Sequence, residues 1–136
     1  MVKLIMGLTG SGKTKKLVED VREAVATEQG DVVCIEKDRN LTYDIPYQVR
    51  LIHAGEYKIN SNELLMGFLR GLHAGNYDIT HIFIDNFYKM LDDRSDEAVE
   101  KLLDELNAFG EAQHVNFTVV ASVDPSTVSA GIRKYC

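Results

Sequence analysis

The chain has little of what holds together or addresses a secreted protein. Only two cysteines occur in 136 residues, Cys34 inside an apolar run and Cys136 at the last position, which argues against a disulfide framework and for a reducing compartment. No apolar stretch approaches bilayer length, and the opening Met1-Val2-Lys3-Leu4-Ile5-Met6 is interrupted by Gly7 too soon for a signal peptide. Cys136 is last rather than fourth from the end, so the terminus is not a prenylation box. Basic residues are outnumbered: 15 Lys and Arg stand against 21 Asp and Glu, a net charge of −6. Such a balance argues against non-specific attraction to nucleic acid or anionic lipid. His53, His73, His81 and His114 share no ligand spacing and have no cysteine partner at zinc-site distance, which argues against a structural metal. Repeats and low-complexity segments are absent. The expectation is a cytoplasmic, single-domain protein over residues 1–136, with no membrane or nucleic-acid partner.

What is present is an ordinary hydrophobic content of 45%, enough for one core between layers of secondary structure. Residues 2–6 read as a strand ended by glycine, and residues 14–29 as a helix with Leu17, Val18, Val21 and Val25 at helical spacing. Gly30 suits that helix's C-cap, and residues 31–36 read as a buried parallel strand. Residues 37–59 are broken by Pro46 and form a loop-rich excursion that allows a short strand at 48–53.

Asn60 and Glu63 then resemble a capping box, opening a helix to about Gly75 with Leu64, Leu65, Phe68, Leu69 and Leu72 on one side. Gly67 and Gly71 suggest close packing of this helix on the sheet. A third strand covers residues 78–85. Ser95 or Asp96 opens a helix with Val99, Leu102, Leu103, Leu106 and Phe109 on one stripe, and a last strand runs over 116–123 until Pro125. Alternating strands and helices of this length predict an α/β three-layer sandwich, with a mainly parallel sheet and ligands at the carboxyl ends of the strands.

Gly7-Leu8-Thr9-Gly10-Ser11-Gly12-Lys13-Thr14 matches the Walker A pattern at every fixed position, between a predicted strand and a predicted helix. Usual residue frequencies give a chance match in roughly one of two hundred chains this long, so accident is a poor explanation. The glycines let successive backbone N–H groups wrap phosphate oxygens, and the following helix directs its positive end at the anion. Gly7, Thr9, Gly10, Ser11, Gly12, Lys13, Thr14 and Lys15 are thus the candidate nucleotide-binding residues. Lys13 doubles as a catalytic point charge on the outer phosphates, and Thr14 supplies a hydroxyl to Mg²⁺. Ile82-Phe83-Ile84-Asp85 ends an apolar strand on a carboxylate, which makes Asp85 the second candidate Mg²⁺ residue. The next residue, Asn86, has an amide that is no useful base.

With these motifs the chain resembles the P-loop NTPase superfamily, and within it the RecA-like type with an additional strand. It is also similar to a group of small bacterial P-loop proteins, some carrying the label of pilus-twitching ATPases, but it lacks the added domain and boxes of those motors. The resemblance implies a catalytic glutamate at the end of the strand after the Walker A helix, where Glu36 stands, either as base or as the start of the charged loop Glu36-Lys37-Asp38-Arg39. It implies that the strand over 116–123 lies beside the Walker A strand and delivers a polar sensor, Ser122 or Asp124. An arginine finger would come from Arg39, Arg94 or Arg133.

No Asn-Lys-x-Asp sequence reads guanine, so ATP is favoured over GTP as ligand or substrate. The resulting expectation is a Mg²⁺-dependent ATPase with slow basal hydrolysis, alone, as a homo-oligomer or with a protein partner. Two alternatives remain open: an ATP-binding regulatory module that does not hydrolyse, and a thymidine-kinase-like phosphotransferase. The latter lacks here both the glutamate after the Walker B aspartate and a zinc-bearing lasso.

Overall fold

Apolar runs too short for helices become strands in the computed structural model, which describes residues 1–39, 41 and 44–136. They are β1 (Val2–Met6), β2 (Asp31–Glu36), β3 (Arg50–His53), β4 (Ile79–Ile84) and β5 (Asn116–Ala121). β3 falls within the stretch read as loop-rich, where only a short strand was allowed; residues 40, 42 and 43 of that stretch, Tyr43 among them, lie outside the described residues. Every pairing is parallel and the strand order is β1-β5-β4-β2-β3.

Parallel neighbours need crossovers, and three helices supply those after β1, β3 and β4: α1 (Lys13–Thr27), α2 (Asn62–Gly75) and α3 (Asp96–Gln113). A short α4 (Ala130–Arg133) occupies the tail, where the sequence predicts no element. Side-chain alternation along the strands divides the core in two. On one face Leu17, Val21 and Ala24 of α1 pack with Val32, Cys34, Phe83 and Val120. On the other, α2, α3 and α4 cover Val33, Ile35, Ile82, Ile84, Phe117 and Val119. This is the expected α/β arrangement of helices on both faces of a parallel sheet. Cys34 is fully buried, and burial pushes its thiol above the ordinary range, as suits an inert core residue. No described helix is long and apolar enough to cross a membrane.

Several local expectations are corrected. The cap of α2 is Ser61, whose hydroxyl accepts from Leu64 N at 3.0 Å, and not Asn60. Leu64, in the first turn, faces solvent, while Leu65, Met66, Leu69 and His73 are buried. Gly67 and Gly71 pack on nothing, since a Cβ at either would meet no atom within 4 Å. α1 ends before Gly30, with its C-cap at Glu28. Gly30 serves instead for close approach, because a Cβ there would lie 2.1 Å from Thr80 Cγ2 and 2.5 Å from the Asp78 carbonyl. Gly30→Ala is expected to destabilise the fold by about 1–3 kcal/mol, read as a lowered thermal midpoint; an unchanged midpoint would show that the turn yields freely.

The same corner holds a polar clamp between α1 and the sheet. His81 Nδ1 donates to Glu28 Oε2 at 2.7 Å, Thr80 Oγ1 donates to Glu28 Oε1 at 2.9 Å, and His81 Nε2 lies 2.8 Å from Thr118 Oγ1. The imidazole stacks on Phe83 at 4.1 Å between centroids. Both ring nitrogens have partners, as a half-buried histidine requires.

Candidate functional site

In an all-parallel sheet the carboxyl ends of the strands share one rim, and four of them contribute to a single cleft of about 530 Å³. The loop after β1 brings Thr9, Gly10 and Gly12, and the first turn of α1 brings Lys13, Thr14 and Lys15. Asp85, Asn86 and Lys89 follow β4, Ser122 follows β5, and Asp38 comes from the loop beyond β2. The phosphate-loop candidates and the candidate metal aspartate, 71 positions apart between Thr14 and Asp85, thus converge.

The loop's shape depends on its glycines. Gly10 and Gly12 take φ of 88° and 85°, a left-handed backbone that side chains disfavour. Gly7 and Ser11 do not line the cleft. They meet behind it, where a Cβ on Gly7 would sit 2.5 Å from Ser11 Oγ. Ser11 N also donates to Leu8 O at 3.1 Å, closing the bend. Gly12 caps α1 without a side chain, leaving the helix's first N–H groups directed toward the cleft. Lys13 is buried, and its ammonium donates to Leu8 O at 2.8 Å and Ser11 Oγ at 3.4 Å.

Asp85 is also buried, at 5% exposure, and its amide donates to Ile35 O at 2.8 Å, which ties the end of β4 to β2. Burial pushes its carboxyl above the ordinary range, against the opposing pull of the Asn86 amide and the Lys13 and Lys89 ammonium groups. Asn86 takes φ 53°, in the left-handed region that asparagine tolerates better than most residues. It opens the 3-10 turn Phe87–Met90, with Phe87 and Met90 fully buried and Lys89 exposed.

The donor set suits Mg²⁺ in one particular way. Among the described residues no three His, Cys, Asp or Glu side chains gather to form an all-protein metal site. A hard cation here would be held by Asp85, the Thr14 hydroxyl, water and phosphate oxygens, the usual arrangement for Mg²⁺. A carboxylate with a raised proton affinity also gains most from a neighbouring cation.

Glu36 stands on the same face of the sheet as Asp85 but does not line the cleft. It is 1% exposed, with Oε2 accepting from Leu41 N at 2.9 Å and Oε1 3.0 Å from His53 Nδ1. Ser122 reaches the cleft, whereas Asp124 caps the next turn by accepting from Ser126 N at 2.9 Å. Among the described residues Arg39, Arg94 and Arg133 stay out of the cleft lining; Arg39 pairs with Glu56 and Arg133 donates to Val128 O.

Two cleft residues escape the sequence reading, Asp38 and Lys89. They form an ion pair at 3.4 Å, with both side chains about half exposed. The available signal was distance along the chain: each lies a few residues past a strand that ends at the rim. Neither a family model nor a curated protein matches this chain.

Proposed function

We propose that the protein binds a nucleoside triphosphate with Mg²⁺, ATP in preference to GTP, on a P-loop core of RecA-like architecture, and hydrolyses it slowly. The observation that carries the reading is the convergence of the glycine-rich bend, Lys13, Thr14 and buried Asp85 on one cleft. The position of β5 between β1 and β4 supports it further, since a strand inserted beside the Walker A strand is what the RecA-like resemblance implies. In this reading the loop N–H groups and Lys13 hold the phosphates, Thr14 and Asp85 hold the ion, and Ser122 faces the terminal phosphate. The ion supplies charge neutralisation at the phosphates.

The attacking water needs a carboxylate in reach. Asp38 lines the cleft and Glu36 does not, so we assign water orientation to Asp38. Glu36 becomes a support that holds the Leu41 amide beneath the loop. A non-hydrolysing binding module is the second reading, favoured by Asn86 directly after Asp85 and by the engagement of Glu36 away from the cleft.

Calorimetry with Mg–ATP, followed by phosphate release at saturating nucleotide, separates these readings. Asp38→Asn is expected to lower turnover by about a hundredfold, the lower end of what a positioned base contributes. Glu36→Gln retains an acceptor for Leu41 N and is expected to change turnover less than threefold. The reverse pattern would return the base to Glu36. Binding without phosphate release from the unaltered protein would establish the module, and absence of binding would end the whole reading.

A further inference from the structure

The Asp38–Lys89 pair has the geometry of an exchangeable contact. Lys89 is carried by the 3-10 turn that begins at Asn86, one residue beyond Asp85, and Asp38 by the loop beyond β2. Both face the cleft that holds Lys13 and Thr14, and they meet each other at 3.4 Å with side chains 59% and 48% exposed. The base of the turn is fixed: Phe87 and Met90 are fully buried and Lys89 N donates to Asn86 O at 3.0 Å. Beyond this base the Lys89 side chain is largely exposed. A half-exposed pair in water contributes little, whereas an ammonium on a multiply charged phosphate makes a strong charge-assisted contact. A polyanion entering the cleft therefore outcompetes the Asp38 carboxylate for Lys89.

We infer that Lys89 is the residue that distinguishes a nucleoside triphosphate from a diphosphate, with Asp38 as its partner until the terminal phosphate arrives. This rests on the reading of the cleft as a triphosphate site. Lys13, on the first turn of α1, reaches the β-phosphate that both nucleotides carry as well as the terminal one, so it discriminates less between them. Lys89, carried into the cleft by the turn that follows Asp85, meets the outermost phosphate. Its departure frees the Asp38 carboxylate at the moment a terminal phosphate is present, so the carboxylate assigned to water becomes available only with substrate in place. Asp38 belongs to the same short loop as Arg39, which pairs with Glu56 on the 3-10 turn Ala54–Tyr57.

The test measures dissociation constants for Mg–ATP and Mg–ADP with the full chain and with Lys89→Ala, Lys89→Arg and Asp38→Asn. Lys89→Ala is expected to weaken ATP at least tenfold and ADP less than threefold, with Lys89→Arg recovering most of the loss. Asp38→Asn, by removing the competing carboxylate, is expected to tighten ATP several-fold. Thermal midpoints without nucleotide should stay within a few degrees, since both side chains are half exposed. Equal losses for the two nucleotides, or no loss, would overturn the role of Lys89 while leaving the cleft as a nucleotide site. If the unaltered protein bound neither nucleotide, the cleft reading and this inference would fall together.

Discussion

Lys13→Ala is expected to weaken Mg–ATP binding by about a hundredfold or more while leaving the fold intact. Hydrogen bonds to charged groups contribute about 1.5–3 kcal/mol each, so an ammonium serving two phosphate oxygens accounts for at least about 3 kcal/mol, or two decades of affinity. The fold should tolerate the loss, because among the described residues the hydrogen bonds of Lys13 Nζ go to the loop itself, at Leu8 O and Ser11 Oγ. Removing a buried charge also relieves its desolvation. Calorimetry on the variant, with a thermal melt as control for folding, gives the answer. Affinity within threefold of the unaltered protein would mean that the bend does not bind through Lys13.

Asp85→Asn carries the second large effect, with opposite signs for binding and stability. The aspartate's carboxyl is pushed above its ordinary range chiefly by burial. The folded protein without ligand therefore binds that proton more tightly than the unfolded chain does. Stability from this group is greatest below the ordinary carboxylate range and falls as pH rises toward the raised value. At neutral pH the ionised group is a net cost, which Asn removes, so the variant should melt higher than the parent without nucleotide.

Its Mg²⁺-dependent affinity should fall by at least about 10- to 100-fold, the loss that follows removal of even a group hydrogen-bonded to a metal's ligands. Titrating ATP with and without Mg²⁺ isolates that part. In the unaltered protein the Mg²⁺ effect should fade on acidification at a higher pH than an ordinary carboxylate would dictate. A variant that melts lower and keeps its Mg²⁺ response would remove Asp85 from the metal role.

The residues most legible in the sequence were those whose local chemistry constrains them. Gly10 and Gly12 adopt backbones that side chains disfavour, and Lys13 and Thr14 follow them directly into α1. Asp85 ends an apolar run that has few alternatives to a buried strand. The placement of β5 beside β1 followed from the family resemblance and agrees with the observed pairing.

Legibility failed where direction, not element type, mattered. Glu36 was found at a strand end, but which way its carboxylate turned depended on Leu41 and on β3, a strand paired from outside the periodic pattern. Asp38 lies in a bend and Lys89 on a short 3-10 turn, where neither a period of two nor one of 3.6 sets the facing. Leu64 fits the apolar stripe by spacing, yet it lies in the first turn of α2 and is exposed.

The clamp at the far end of α1 bears on how the loop at its near end can respond. Glu28 grips Thr80 and His81, and His81 leans on Thr118, so the helix is anchored to β4 and β5 roughly four turns from Gly12. Were an anion to bind at the head of this helix, the clamp at its tail would oppose a shift along the helix axis. Any accommodation would then fall to the rim loops, of which those after β4 and β5 belong to strands the clamp secures and those after β1 and β2 do not.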